Sequence, residues 1–240
     1  MSIVLNALRA AALAVIVLGL AGCAKAESYR YKLTLAVNTP DGVKRGSSVV
    51  EILFSDVSIP ENGTMRKLRG EALYLDLGPG ARPLIALLTS QLHPKYWKNE
   101  RWSRDGGPNL DFFLRLYGEP PADNVLAAVS RLAHMRGPRT ITPADLPDLV
   151  TFADINDPRS VIEVDPNDLQ VTLGPSVTWH ELTLESTDEP IRTGIEARLP
   201  WLPAYYGTML DGRRYHDENT LANTLSTADF DESGNLERTK

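Results

Sequence analysis

Strict alternation marks the stretch Tyr29-Arg30-Tyr31-Lys32-Leu33-Thr34-Leu35-Ala36-Val37-Asn38. Its odd-numbered side chains are all apolar or aromatic, whereas its even-numbered ones are mostly polar. Because successive side chains of a β-strand point to opposite faces, a period of two predicts a half-buried strand. Aromatic and β-branched residues in the same stretch favour a strand as well.

Two further strands are predicted on the C-terminal side of this stretch. The sequence Thr39-Pro40-Asp41-Gly42 predicts a turn, since proline presets its own φ and glycine accepts a positive φ. A second alternating strand follows at about Ser47–Asp56, then a turn at Asn62-Gly63 and a third strand at about Arg69–Leu77. Three strands joined in this way are expected to form an antiparallel meander.

The middle of the chain has a different pattern. Residues Arg82–Leu92 are apolar and predict a short helix that starts at Pro83. Residues Lys95–Pro108 are rich in charge, tryptophan and glycine and predict a loop. The clearest helix is Pro121–Arg136, where apolar residues recur at helical spacing and Asp123 is a suitable N-cap.

Short extended segments separated by prolines return after Thr140. The predicted strands are Leu149–Phe152, Val161–Val164, Leu169–Leu173, Val177–Leu184 and Ile195–Leu199. Together the patterns predict an α+β fold that is sheet-dominated, with mostly antiparallel strands and one or two packed helices. One globular domain is expected over residues 29–220, followed by a polar, flexible tail at Leu221–Lys240.

The first 23 residues have the three parts of an export signal. Arg9 provides a basic start, and Ala10–Leu20 is an apolar stretch shorter than the roughly 20 residues that span a bilayer. The sequence Leu20-Ala21-Gly22-Cys23 resembles the lipobox of bacterial lipoproteins. The resemblance implies a signal peptide at residues 1–22, cleavage before Cys23, a lipid on the sulfur of Cys23 and a tether at residues 23–28.

The implied location is the cell envelope. Lipid on Cys23 would hold the chain firmly on a membrane, because two or three acyl chains bind far more tightly than one. Ala24 follows the cysteine, as in outer-membrane lipoproteins, so the outer membrane is favoured over the inner one. The body is expected to face the periplasm or the surface.

The alternative is cleavage after Ala24-Lys25-Ala26, which would release a soluble secreted domain. Cys23 is the only cysteine, so the fold has no internal disulfide and lipidation accounts for the lone thiol.

Size and charge limit the classes of partner. Removal of the first 22 of 240 residues leaves a body long enough to bury a core. The whole chain has a formal net charge of −6, and the predicted signal peptide removes one more positive charge. An acidic body argues against nucleic acid, which binds to basic surfaces.

Catalytic and metal motifs are not present in the sequence. The four histidines form neither H-x-H nor H-E-x-x-H, and His180 and its neighbour Glu181 are expected on opposite faces of a strand. The nucleophile motif G-x-S-x-G is missing, and Gly174-Pro175-Ser176 predicts a turn instead. No catalytic, cofactor-binding or metal-ligating residue is therefore assigned, and no cofactor is expected.

Acidic segments are the remaining candidates for ion binding. Asp154-Ile155-Asn156-Asp157 and Asp165-Pro166-Asn167-Asp168 predict turns whose side chains cap backbone amides, with calcium ligation as the alternative. The segment Asp229–Glu237 matches the first nine positions of an EF-hand loop, but Lys240 stands where the twelfth position needs a bidentate glutamate. A disordered acidic tail with weak calcium affinity is expected there.

Aromatic residues form two groups that predict packing in a core or loop, with an exposed platform for a glycan or peptide as the alternative. The groups are Tyr96, Trp97 and Trp102, and Trp201, Tyr205 and Tyr206. The strings Leu149-Val150-Thr151-Phe152-Ala153-Asp154 and Gly194-Ile195-Glu196-Ala197-Arg198-Leu199-Pro200-Trp201-Leu202 resemble segments of uncharacterised proteobacterial proteins. That resemblance implies no activity and no catalytic residue.

Two functional hypotheses follow. The first is a lipid-anchored envelope lipoprotein that is not an enzyme and that binds or supports an envelope protein or ligand. The second is a secreted or periplasmic hydrolase of a small ester, peptide or glycan, in which His180 or His134 would lie beside a serine or a carboxylate.

Overall fold

The first sheet is built on the long hairpin that the alternating stretch predicts. The computed structural model describes residues 26–56, 64–89 and 125–234. In it β1 (Ala26–Thr39) pairs antiparallel with β2 (Gly42–Asp56) along the whole length of both strands. The tether predicted at residues 23–28 is therefore wrong for residues 26–28, because they pair with residues 53–55 of β2. Pro40 and Asp41 form the turn, and Gly42 has a φ of 102° that glycine adopts without a steric penalty.

Three shorter strands complete this sheet. β3 (Thr64–Arg69) pairs with β2, β9 (Thr178–Ser186) pairs with β1, and β6 (Arg139–Thr140) pairs with β9. The order is β3-β2-β1-β9-β6, and each pairing is antiparallel. β3 is therefore an edge strand of the first sheet.

A second, smaller sheet has the order β4-β5-β7-β8, again with antiparallel pairs. Its strands are β4 (Leu73–Leu75), β5 (Leu84–Ala86), β7 (Leu149–Phe152) and β8 (Val161–Glu163).

Helices in the described part of the chain are short. They are α1 (Val125–His134), α2 (Leu169–Leu173) and α3 (Leu221–Thr224). Short 3₁₀ helices lie at Pro143–Asp145, Pro158–Ser160, Ile195–Ala197, Leu202–Tyr205 and Thr227–Asp229. Among the described residues, no helix has both the length and the apolar character needed to cross a bilayer.

The second sheet is buried on both faces and separates two hydrophobic cores. Leu84 and Ala86 contact the first core, which is filled by side chains of β1, β2, β9 and α1. Ile85, between them, points into the second core, which also contains Phe152 and Phe230. The segments that close the second core come from residues 195–230.

Most of the strand predictions are confirmed. The predicted strands at 29–38, Ser47–Asp56, Leu149–Phe152, Val161–Val164 and Val177–Leu184 all lie on observed strands within a few residues. The long helix is confirmed over Val125–His134, and the fold is α+β and sheet-dominated as predicted. Asn62-Gly63, the predicted loop Lys95–Pro108 and the predicted N-cap Asp123 lie outside the described residues.

The helix predicted at Arg82–Leu92 is wrong for its described part, because residues Leu84–Ala86 form β5. All three side chains of this strand are buried. A strand that is buried on both faces has no polar alternation, so its sequence cannot be told from that of a buried helix.

Two predicted strands are helical turns instead. Leu169–Leu173 is α2, and Ile195–Leu199 begins with a 3₁₀ helix. In each segment the first and fifth residues pack against a core, a spacing that a helical turn and a strand both allow, so the sequence pattern does not separate the two. The N–H of Leu199 donates to the carbonyl oxygen of Ile195 at 2.8 Å.

The predicted third strand, Arg69–Leu77, is divided between the two sheets. β3 ends at Arg69, and Leu73–Leu75 belongs to the second sheet. Gly70, between them, has a φ of 149° and lies so close to β2 that an added Cβ would be 3.1 Å from the carbonyl oxygen of Val49. The chain therefore changes sheets at a glycine that no larger residue could replace without strain.

The flexible tail predicted at Leu221–Lys240 is wrong for residues 221–234. Leu225 and Phe230 are fully buried in the second core. The N–H of Ala72 donates to the carbonyl oxygen of Phe230 at 2.8 Å, which joins this segment to the chain between the two sheets. Two apolar anchors and backbone pairing are sufficient to order a segment whose composition is mostly polar.

Candidate functional site

A groove of about 730 Å³ lies between the first sheet and the C-terminal segment. One wall, the sheet wall, is formed by Leu53 of β2 and by Lys67 and Arg69 of β3. The other, the C-terminal wall, is formed by residues 226–228 and 231–234. Residues 206–209 and Arg214 complete the lining. We refer to this cavity as the C-terminal groove.

The register of β2 and β3 places the side chains of the sheet wall on one face. Leu53 is opposite Lys67, and Glu51 is opposite Arg69. Glu51 is buried, and its carboxylate accepts a hydrogen bond from Nε of Arg30 at 3.2 Å and from Nη1 of Arg69 at 3.5 Å. This carboxylate lies between two guanidinium groups and pairs with Arg69 at the edge of the groove.

The C-terminal wall is held by local caps and by backbone bonds. Oδ2 of Asp229 accepts hydrogen bonds from the N–H of Ser226 at 2.7 Å and from its hydroxyl at 3.2 Å. Phe230 anchors the next position in the second core, and the N–H of Glu232 donates to the carbonyl oxygen of Gly70 at 2.9 Å. The wall is therefore preformed rather than dependent on a ligand.

Asp231 is the least satisfied acidic group in the wall. Its residue is 5% exposed and lines the groove. Oδ1 accepts the N–H of Ser233 at 2.7 Å, but the buried Oδ2 has no hydrogen-bond partner among the described residues. A buried carboxylate oxygen without a donor is costly, by about 1–3 kcal/mol or more.

Glu71 lies beside Asp231, since the two residues form an isolated antiparallel bridge. Its carboxylate is buried and accepts the N–H groups of Gly194 and Ile195, each at 2.9 Å. Burial, with a smaller contribution from the negative charges of Asp231 and Glu196, raises the pKa of Glu71 to about 7, although the two N–H donors oppose the rise.

A buried asparagine organises the loop that carries Arg214 to the groove. Nδ2 of Asn223 donates to Oδ2 of Asp211 at 2.7 Å, and its Oδ1 accepts the N–H groups of Asp217 and Glu218, each at 2.8 Å. With every polar atom of this amide engaged, the loop has one defined path around the buried side chain.

The described histidines do not line the groove. Nδ1 of His134 donates to the carbonyl oxygen of Ser130, and Nδ1 of His216 donates to that of Asn223, both at 2.7 Å. His180 is exposed at a bulge, because Ala36 pairs with Glu181 while the next residue of β1 pairs with Trp179. The fourth histidine, His93, lies outside the described residues.

The acidic turns are confirmed as turns. Oδ1 of Asp154 accepts the N–H of Asn156 at 2.9 Å, and Oδ1 of Asp165 accepts that of Asn167 at 2.8 Å. These are local caps of the kind that the sequence predicts. Gly174-Pro175-Ser176 is also a turn, closed by a bond from the N–H of Val177 to the carbonyl oxygen of Gly174 at 3.0 Å.

The EF-hand-like segment is part of the groove instead of a free acidic tail. Asp229 is used as a cap and Asp231 lines the cavity, whereas residues 235–240, which include Lys240, lie outside the described part of the chain. Within residues 26–56, 64–89 and 125–234, no group of three or more His, Cys, Asp and Glu side chains is arranged to hold a metal ion.

The second aromatic group is mainly a packing group. Trp201 is buried against Phe152 and Phe230, and its Nε1 donates to the carbonyl oxygen of Ile155 at 3.0 Å. Tyr205 packs edge-on against Trp201, while Tyr206 is 38% exposed and lines the groove. Tyr96, Trp97, Trp102 and the proposed lipidation site Cys23 lie outside the described residues.

Sequence reasoning did not find Lys67, Arg69 or Arg214 as groove residues. Each is an ordinary surface cation in the sequence, and only the fold brings the three to one cavity. Asp231 was singled out, but as a position in a calcium-like loop. No motif could have indicated that its carboxylate is buried beside Glu71.

In comparisons with known proteins, no family model, no curated protein and no solved structure matches this chain.

Proposed function

We propose that this chain is a lipid-anchored lipoprotein of the cell envelope whose folded body is a binding protein rather than an enzyme, and that the C-terminal groove is its binding site. The observation that carries the proposal is the groove itself, a preformed cavity of about 730 Å³ with apolar, hydroxyl and charged groups in its walls. Cavities that bind small molecules generally measure about 300–1,000 Å³ and combine apolar surface with a few placed polar groups.

The anchor part of the proposal is supported by the leader. Leu20-Ala21-Gly22-Cys23 ends an apolar stretch that follows a basic residue, and Cys23 is the only cysteine. Lipid on Cys23 would attach the body to the membrane, with the outer membrane favoured, through the few residues that separate Cys23 from the start of β1 at Ala26. The partner is then a ligand or protein of the envelope.

The binding part is supported by how the groove is constructed. Its C-terminal wall hydrogen-bonds to the segment between the sheets, and Phe230 anchors it in the second core. Binding of a ligand to such a site costs little conformational entropy of the protein, because the walls are already in place.

The groove is tested by blocking it. Ala228 lines the groove and is exposed, so Ala228→Trp fills the cavity from its rim without entering a core. Val171→Trp is the matched control, since Val171 is 81% exposed and does not line the groove. The protein is purified from bacterial envelopes and weighed by native and denaturing mass spectrometry.

We expect a bound mass in the wild type and in Val171→Trp that is lost in Ala228→Trp. A bound mass that survives in Ala228→Trp would place the ligand elsewhere, and no bound mass in any of the three proteins would count against a binding role for the groove.

The anchor is tested by the intact mass of the mature protein, compared between the wild type and Cys23→Ser. A wild-type chain that begins at Cys23 and carries acyl mass absent from the variant supports the anchor. A chain that begins at Glu27 without lipid would make the protein a soluble secreted domain and would remove the anchor from the proposal.

A further inference from the structure

The two walls of the C-terminal groove carry opposite charges. Lys67 and Arg69 lie on the sheet wall, and Arg214 reaches the groove from the loop that Asn223 organises. Asp231 and Glu232 lie on the C-terminal wall. A protein with net charge −6 thus presents a local group of cations in the same groove as acidic side chains.

Asp231 adds a specific requirement to this arrangement. Its Oδ2 is buried at the groove and lacks a donor among the described residues, and Glu71 on the neighbouring backbone is a second buried acid. Oδ2 itself is shielded from solvent, so a ligand in the groove meets the charge of this carboxylate rather than that oxygen, and a positive group beside Asp231 would offset the cost of the buried negative charge.

We propose, on the basis of the proposed function, that the C-terminal groove binds a small zwitterion, with a primary ammonium group at Asp231 and a carboxylate or phosphate group at Lys67, Arg69 and Arg214. The opposite charges of the walls orient such a ligand across the groove. Leu53, Met209 and Tyr206 provide the apolar surface for the part of the ligand between its two charged groups.

The test uses three forms of one dipeptide in calorimetric titrations of the mature wild-type protein. The probes are alanyl-alanine, its N-acetyl derivative, which lacks the ammonium group, and its C-terminal amide, which lacks the carboxylate. We expect alanyl-alanine to bind and each blocked form to bind at least about tenfold more weakly, since each loses one charge-assisted contact. Phosphoethanolamine, titrated in parallel, distinguishes a phosphate from a carboxylate at the basic wall.

Two variants assign the charges to their residues. Asp231→Asn removes the acid, so the affinity for alanyl-alanine is expected to fall about tenfold while the affinity for the N-acetyl form stays unchanged. Lys67→Ala removes an exposed cation and is expected to weaken alanyl-alanine but not its amide. Asp168→Asn, an exposed acid away from the groove, is the control.

The outcomes separate this inference from the proposed function. If the N-acetyl form binds wild type as tightly as the free dipeptide, the ammonium site at Asp231 is wrong. If neither zwitterion binds but native mass spectrometry finds a ligand that Ala228→Trp excludes, the inference fails and the binding function stands. If no ligand is found by either method, both fail.

Discussion

The buried carboxyl of Glu71 predicts a specific dependence of stability on pH. The groups that face it are the carboxylates of Asp231 and Glu196, which favour its neutral form, and the N–H groups of Gly194 and Ile195, which favour its charged form. Burial is the largest of these effects and raises the pKa of Glu71 from 4.5 to about 7. The folded protein therefore holds a proton on Glu71 over a range of pH in which the unfolded chain has lost it.

The sign and size follow from this difference. Between pH 4.5 and about 7 the folded state binds more protons than the unfolded state, so the free energy of unfolding falls as the pH rises. One pKa unit corresponds to about 1.4 kcal/mol. A rise from 4.5 to about 7 therefore removes about 3 kcal/mol of stability across this window.

The assay is urea unfolding followed by tryptophan fluorescence at a series of pH values, with the wild type compared with Glu71→Gln. Glutamine does not titrate and keeps one acceptor for the two N–H groups, so the variant is expected to be less stable than the wild type at low pH and to lose this disadvantage as the pH rises. Glu163→Gln, at an exposed strand end, should keep the wild-type slope. Parallel curves for the wild type and Glu71→Gln throughout the window would refute the reasoning.

Two further predictions concern the segments that build the groove. Phe230→Ala should lower the free energy of unfolding by about 3–5 kcal/mol in urea titrations, because it leaves a cavity in the second core; a loss below about 1 kcal/mol would mean that the C-terminal wall is not anchored there. Asn223→Ala should cost about 1–3 kcal/mol, since it leaves the N–H groups of Asp217 and Glu218 without their acceptor, and faster amide exchange at those two positions checks the cause.

The strands that could be predicted from the sequence are those with one buried face and one solvent-exposed face. β1 and β9 alternate because one side of the first sheet packs on the first core and the other carries charged residues such as Arg30 and Glu185. In such strands polar and apolar side chains alternate, and this period of two indicates a β-strand directly.

The secondary-structure predictions were wrong where a segment shows no clear polar alternation. β5 lies between two cores, so its sequence has no polar face. In α2 and in Ile195–Leu199, a spacing of four between two residues that pack on a core fits a helical turn, but the same five residues also alternate as in a strand. Five residues are too few to separate the two periods.

The C-terminal segment shows why the candidate site was beyond the reach of sequence patterns. Its composition is polar, and only tertiary contacts decide that Phe230 enters the second core and that the backbone of Ala72 bonds to it. These contacts set the neighbouring Asp231 beside Glu71 and in the same groove as Lys67. The groove, its opposite charges and the buried acid therefore share one origin, the docking of a mostly polar segment that Leu225 and Phe230 anchor in the second core.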